Sequence, residues 1–135
     1  YRLGFVSGDR ELIAQLVGLR KHLGLIVPSP VQAAGVAALS DDAPVLAQRS
    51  RYGSRREVLS AALERAGFTI DESAAGLYLW CTRGESALES VAYLAERGIL
   101  VAPGTFYGPA GARHIRAALT ASDEHIAAVA ARLTH

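Results

Sequence analysis

The second half of the chain alternates short apolar runs with segments of helical period, and this alternation limits the folds open to it. Two segments repeat their apolar side chains every three or four positions, as a helix with one buried face does: 85–97 and 122–133. Four apolar runs are short enough to be strands: 68–70, 76–82, 99–101 and 114–120. The order strand–strand–helix–strand–strand–helix predicts an α/β unit, a short mixed sheet flanked by helices.

The first half predicts one strand followed by three helices. Residues 1–8 form an apolar opening run that we interpret as a strand. Asp9 is placed to cap a helix, which Gly24 ends. A small-residue helix, Val31–Leu39, follows a pair of prolines, and a third helix is expected over 44–66.

A loop rich in glycine and proline, Pro103–Gly111, leads directly into the last predicted strand. Apolar residues alternate there with His114 and Arg116, so the arginine lies on the face opposite the apolar side chains. A guanidinium stays charged and offers a planar fork of donors that suits carboxylate or phosphate. Arg2, at the front of the first predicted strand, offers the same chemistry. From the pattern alone, a surface or ion-paired role is favoured for both arginines.

Other chemistries find little support in the sequence. The four histidines are scattered and Cys81 is the single cysteine, so we predict no metal site, and we expect Cys81 to be an inert thiol inside an apolar strand. The Pro103–Gly111 loop lacks the lysine of a phosphate-binding loop. Lys21, the only lysine, suits a helix end better than a covalent cofactor link. We interpret the arginine run at 49–56 as a solvated or subunit-facing helix surface.

Composition narrows the partners and the compartment. A formal net charge of +1 over 135 residues gives no reason to expect nucleic acid or acidic membranes as partners. A single cysteine, with no basic-then-apolar leader and no membrane-length apolar run, favours the cytosol. The chain contains no methionine and opens inside an apolar stretch, so we expect it to be the C-terminal piece of a longer protein.

Several segments, taken in order, resemble the class I/II aminotransferases, which are pyridoxal-phosphate enzymes of fold type I. YRLGFVSGD at 1–9 is similar to the segment that follows the family's cofactor-binding lysine, and PSPVQAA at 28–34 resembles a helix start after the large domain. GLYLW at 76–80 and the block 103–120 are similar to strands and a loop of the small domain. The sequence of residues 100–111 most resembles that of the succinyldiaminopimelate aminotransferases of lysine biosynthesis.

The resemblance implies roles for four residues. Arg2 matches the family arginine that binds the phosphate of pyridoxal 5'-phosphate, and Arg116 matches the one that binds the substrate's α-carboxylate. Phe106 and Tyr107 would line the entrance to the substrate site. The family's Schiff-base lysine and the aspartate that pairs with the cofactor ring are expected upstream of Tyr1. No catalytic residue is therefore assigned within this chain, which should be inactive alone.

The resemblance also implies a domain plan and partners. Residues 1–26 would end the large cofactor-binding domain, 27–66 would form connecting helices, and 67–135 would form the small C-terminal domain. The whole protein would be a cytoplasmic homodimer that transfers an amino group between an amino acid and a 2-oxo acid. The alternative is a free-standing carboxylate-binding or protein-interaction domain without catalysis.

Overall fold

The computed structural model describes residues 2–133, which form two compact units, unit 1 ending at Leu46 and unit 2 beginning at Ala47. Two short 3-10 turns cover Gly104–Tyr107 and Pro109–Gly111. The other elements of the described residues, in chain order, are α1 (Arg10–His22), α2 (Ser29–Leu39), α3 (Ala43–Arg65), β1 (Thr69–Asp71), β2 (Tyr78–Thr82), α4 (Ala87–Ala95), β3 (Ala102–Pro103), β4 (Ile115–Ala118) and α5 (Asp123–Arg132). Within residues 2–133, no helix has both the length and the apolar character needed to cross a membrane.

The predicted first strand is wrong over the residues that the structure describes; its first residue, Tyr1, lies outside them. Residues 2–8 have no regular secondary structure, and Phe5 is 74% exposed. Leu3 packs so closely on Gly35 of α2 that a Cβ there would collide with the leucine side chain. An extended segment needs a neighbouring strand to satisfy its backbone. The described part of unit 1 contains no strand, so the apolar run packs through single side chains instead.

The predicted helices are present, and their capping residues act as the sequence indicates. Asp9 opens α1 because its Oδ1 accepts hydrogen bonds from the backbone N–H groups of Glu11 and Leu12, at 2.9 and 3.1 Å. Gly24, just past the end of α1, has φ +69°, a conformation that glycine adopts without strain. Ser122 caps α5 by accepting from the backbone N–H of His125.

The four strands form one sheet in the order β1-β2-β4-β3, and neighbouring strands are antiparallel. The predicted α/β class, a short sheet flanked by helices, is confirmed, but the described strands pair only antiparallel, where a mixed sheet was expected. The third strand covers Ala102–Pro103 rather than the predicted 99–101, because the backbone N–H of Ile99 still donates to the carbonyl of Leu94 at the end of α4. One face of the sheet is buried with side chains of α3, α4 and α5 in a single core. Its main members are Leu59, Leu63, Leu79, Cys81, Leu94, Ile115, Ala117, Leu119 and Ile126. The alternation of side chains in β2 and β4 sends the intervening residues to the opposite face.

Two arginines of the run in α3 form hydrogen bonds within unit 2, which corrects the interpretation of the run as a solvated or subunit-facing surface. Arg55 donates from Nε to a carboxylate oxygen of Asp123 at 2.5 Å and from Nη1 to the carbonyl of Leu119 at 3.1 Å. Arg56 donates to the carbonyl of Gly76 at 2.6 Å and also to the hydroxyl of Ser73. These two arginines therefore hold loops of unit 2 against α3.

Candidate functional site

Arg116 lies in β4, one of the two inner strands of the sheet. Its backbone is paired with Trp80 of β2 on one side and with Ala102 of β3 on the other. The residues on either side of it, Ile115 and Ala117, are buried in the core. The Arg116 side chain therefore leaves the sheet on the face opposite the core, from a backbone that two neighbouring strands hold in place.

Two tyrosine rings flank the Arg116 guanidinium. Its Cζ lies 4.1 Å from the centroid of the Tyr78 ring and 5.2 Å from that of Tyr107. Tyr78 comes from β2, and Tyr107 comes from the turn that follows β3. Contact with aromatic faces orients a planar cation without neutralising its charge. Tyr78 is 42% exposed and Tyr107 is 52% exposed, so the group opens to solvent.

The guanidinium of Arg116 has no acidic partner among residues 2–133. Its Nε is buried and donates no hydrogen bond within the same residues. A buried donor left unpaired costs about 1–3 kcal/mol, so an acceptor that reached it would bind with an advantage. The sequence pattern favoured a surface or ion-paired role, but in the described part of the chain no carboxylate pairs with Arg116. Its guanidinium is therefore available to a bound anion.

Close backbone packing holds the glycine-rich loop, Pro103–Gly111, beside Arg116 and its tyrosine neighbours. Gly104 donates its N–H to the carbonyl of His114 at 2.7 Å. A Cβ on Gly104 would lie 2.6 Å from that carbonyl oxygen and 2.9 Å from the Trp80 ring, and one on Gly111 would lie 2.6 Å from the carbonyl carbon of Gly104. Only glycine fits at such distances. This packing brings Tyr107 to Arg116.

The two other residues predicted for the site are Phe106, in unit 2, and Arg2, in unit 1. Phe106 is 76% exposed, and no ring contact joins it to Arg116 or Tyr107 in the structure from residue 2 to 133. Arg2 belongs to unit 1, is exposed, and has φ +53°, which is uncommon for a residue with a Cβ. Within the described range it pairs with no carboxylate, so its guanidinium is available to a phosphate.

Three residues near Arg116 were missed by the sequence analysis: Asp71, Trp80 and His114. The His114 and Trp80 rings are stacked, with centroids 5.2 Å apart and planes 7° from parallel. His114 Nε2 lies 2.9 Å from a carboxylate oxygen of Asp71, and the Trp80 ring meets Tyr107 edge-on at 5.6 Å. We call Tyr78, Trp80, Tyr107 and His114 the aromatic cluster. Alternation places Tyr78 and Trp80 on one face of β2 and Arg116 on one face of β4, but only the register between the two strands shows that these faces coincide.

Cys81 lies on the buried face of the sheet, and burial raises the pKa of its thiol from 9.0 to about 12, with a smaller contribution from the charge of Asp71. A thiol with such a pKa is a poor nucleophile at neutral pH. Among the described residues, no group of three or more His, Cys, Asp or Glu is placed to hold a metal ion. Arg116 and its neighbours lie on the opposite face of the sheet.

Because burial raises the pKa of the Cys81 thiol, we expect the protein to become less stable at high pH. Between pH 9 and pH 12 the unfolded thiol loses its proton while the folded one keeps it, because its folded pKa is about 12. The free energy of unfolding should then fall by up to about 1.4 kcal/mol per pH unit. Below pH 9 the thiol is protonated in both states and contributes no pH dependence. Denaturant unfolding of the full-length protein at several pH values measures this slope; an equal slope in Cys81→Ala would contradict it.

Comparison with known proteins finds relatives that match nearly the whole of this chain. The family model for aminotransferase class I and II matches residues 1–133. A probable aminotransferase of Mycobacterium tuberculosis is 62% identical over 134 residues, which are 99% of this chain and 32% of that protein. A 4-dedimethylamino-4-oxo-anhydrotetracycline transaminase of Streptomyces rimosus is 60% identical over 134 residues, 99% of this chain and 37% of that protein.

A solved structure shows the same fold. The L,L-diaminopimelate aminotransferase of Chlamydomonas reinhardtii superimposes with a TM-score of 0.70 and 28% identity, over 80% of this chain and 28% of that one. The chain spans about a third of the length of the curated relatives that it matches.

Proposed function

Because the chain belongs to the class I and II aminotransferases, we propose that it forms the C-terminal part of a pyridoxal-phosphate transaminase and supplies that enzyme's carboxylate-binding arginine, Arg116. The observation that carries the proposal is the state of this guanidinium. It is set on a paired inner strand and flanked by two tyrosine rings, and within residues 2–133 it has no acidic partner and a buried, unpaired Nε. A carboxylate supplies the acceptors that the fork lacks.

Arg116 binds and orients the substrate in this proposal. Two parallel hydrogen bonds from a planar fork fix the direction of a carboxylate as well as its position. Fixing that end of an amino acid leaves its α-carbon in one place relative to the cofactor, and such positioning lowers the barrier of the step that follows. Ala118, paired across from Tyr78, leaves room beside the guanidinium for the incoming acid.

Pyridoxal phosphate is the cofactor of this family, and when bound it supplies the electron sink for chemistry at the α-carbon. Arg2 is the residue of this chain that we propose for its phosphate. The residue fits that role because its guanidinium is exposed and pairs with no carboxylate in the described range. The lysine and aspartate that complete the cofactor site are proposed to precede Tyr1.

Phe106 and Tyr107 are proposed to line the substrate entrance. Both lie on the turn Gly104–Tyr107, and Phe106 is 76% exposed. Large aromatic side chains at the mouth of a site exclude water when the site closes, and they strengthen the ion pair inside it.

The remaining organisation of the whole protein is part of the same proposal. Residues 1–26 end the large domain, 27–66 connect, and 67–135 form the small domain of a cytoplasmic homodimer. The substrates are an amino acid and a 2-oxo acid, in the lysine and diaminopimelate branch of amino-acid biosynthesis. The structural likeness to an L,L-diaminopimelate aminotransferase supports that branch. The 60% identity to a transaminase named for an oxo-anhydrotetracycline favours, as a second candidate, a larger ketone as amino acceptor.

A substrate survey of the full-length protein tests the proposal. We expect the purified protein to bind pyridoxal phosphate, seen as visible absorbance that amino acids shift, and to transfer amino groups to 2-oxo acids. Diaminopimelate and a polycyclic ketone in the same survey separate the two candidate substrates. Carboxylate binding without cofactor absorbance or turnover would instead support the alternative, a binding domain without catalysis.

A further inference from the structure

The orientation of the Arg116 guanidinium depends on its aromatic neighbours. In the described part of the chain no acidic side chain fixes it, and its Nε is unpaired. Tyr78 comes from a strand paired with β4, so its backbone is held in register. Tyr107 comes from a short turn and is half exposed, so its position depends on what its ring packs against.

Trp80 is the ring against which Tyr107 packs. The two rings meet edge-on, with centroids 5.6 Å apart and planes at 81°. This is one of the favoured geometries for aromatic pairs. Trp80 also touches the start of the loop, since a Cβ on Gly104 would lie 2.9 Å from its ring. The loop that carries Tyr107 therefore rests on the Trp80 ring.

His114 and Asp71 hold Trp80 from the other side. The His114 ring lies flat on the indole, and its Nε2 is 2.9 Å from Asp71 Oδ2. Asp71 is the residue of β1 directly opposite Trp80 in the sheet. The His114 side chain is 19% exposed, and its Nδ1 is buried without a partner in the described residues. Phenylalanine would stack equally well without a buried unpaired nitrogen, so the contact with Asp71 is what a histidine adds here.

We infer that His114, anchored by Asp71, is a positioning residue for substrate binding: it fixes Trp80, which fixes Tyr107, which fixes the Arg116 guanidinium. The inference rests on the function proposed above. His114 itself does not touch the carboxylate. His114 directly precedes β4, the strand that carries Arg116, and the carbonyl of His114 also accepts a hydrogen bond from the N–H of Gly104, where the loop starts.

Substitutions that keep the ring stack but release it from Asp71 test the inference in the full-length enzyme. We expect His114→Phe and Asp71→Ala each to weaken substrate carboxylate binding about tenfold, while Asp71→Asn, which can still accept from His114, stays within about twofold. His125→Phe, on the exposed start of α5, is the matched control and should bind as the wild type does. Asp71 is half exposed, so Asp71→Ala tests the idea even if His114→Phe fails to fold.

Two probes make the readout independent of turnover. For the amino acid that the wild-type enzyme converts fastest, one probe is the acid without its amino group and the other is the amine without its α-carboxylate; for glutamate these are glutarate and 4-aminobutyrate. Calorimetric titration of His114→Phe and Asp71→Ala should show weaker binding of the acid than in the wild type and unchanged binding of the amine. An equal loss for both, or for neither, would overturn the inference.

A double-mutant cycle tests the route through Tyr107. If His114 acts through that ring, His114→Phe should have little further effect on acid binding in a Tyr107→Leu background, whereas fully additive losses would overturn the route. Arg116→Lys separates this inference from the proposed function. If Arg116→Lys leaves acid binding unchanged, the proposed function fails; if it weakens binding but His114→Phe and Asp71→Ala do not, only the positioning role fails.

Discussion

Replacing Arg116 with alanine in the full-length protein is expected to weaken binding of the substrate carboxylate by about 2–5 kcal/mol, roughly 30-fold or more. The fork is the cationic group that we propose for this site, and the two tyrosine rings that flank it carry no positive charge. Removing it also leaves the incoming carboxylate unpaired. Calorimetric titration with the acid probe, together with KM for the amino acid, measures the loss.

Arg113→Ala is the matched control for this experiment, because Arg113 lies three residues before Arg116 and is exposed. It should change acid binding by less than about twofold. Arg116→Lys should recover only part of the affinity, since a lysine keeps the charge but not the planar fork. Unchanged affinity in Arg116→Ala, with thermal unfolding like that of the wild type, would show that Arg116 is a structural arginine without a ligand.

Replacing Gly104 with alanine is expected to destabilise the protein by about 3 kcal/mol. The added Cβ would lie 2.6 Å from the carbonyl oxygen of His114 and 2.9 Å from the Trp80 ring, and it would also meet the carbonyl of Gly111. Two of these three neighbours are backbone atoms, which cannot turn aside as a flexible side chain does. The loop must therefore move away from the sheet, and Tyr107 must move with it. Denaturant unfolding measures the cost.

Gly53→Ala provides a control of opposite sign. Gly53 lies inside α3, and a Cβ there would meet nothing within 4 Å. Alanine should stabilise that helix by about 0.5–1 kcal/mol, because glycine loses more backbone freedom when it enters a helix. If Gly104→Ala proves as harmless as Gly53→Ala, the close packing of the loop on the sheet is not as described. We also expect Gly104→Ala to weaken acid binding.

The helices and the class of fold were predictable because their signals are local. Asp9 precedes an amphipathic segment and caps α1, and Ser122 does the same for α5. The alternation around Arg116 correctly placed its neighbours Ile115 and Ala117 in the core. The first strand was predicted wrongly because an apolar run shows that residues avoid water but not whether another strand lies beside them.

The sequence by itself determined the helix ends, the alternation of side chains in β2 and β4 and the presence of an arginine opposite the core, because each follows from neighbours within a few residues. Only the tertiary structure decided that Asp71, Trp80 and His114 meet, and that Tyr107 reaches Arg116. These side chains come from strands and a turn that are distant along the chain, and a shift of one residue in register would send them to opposite faces of the sheet.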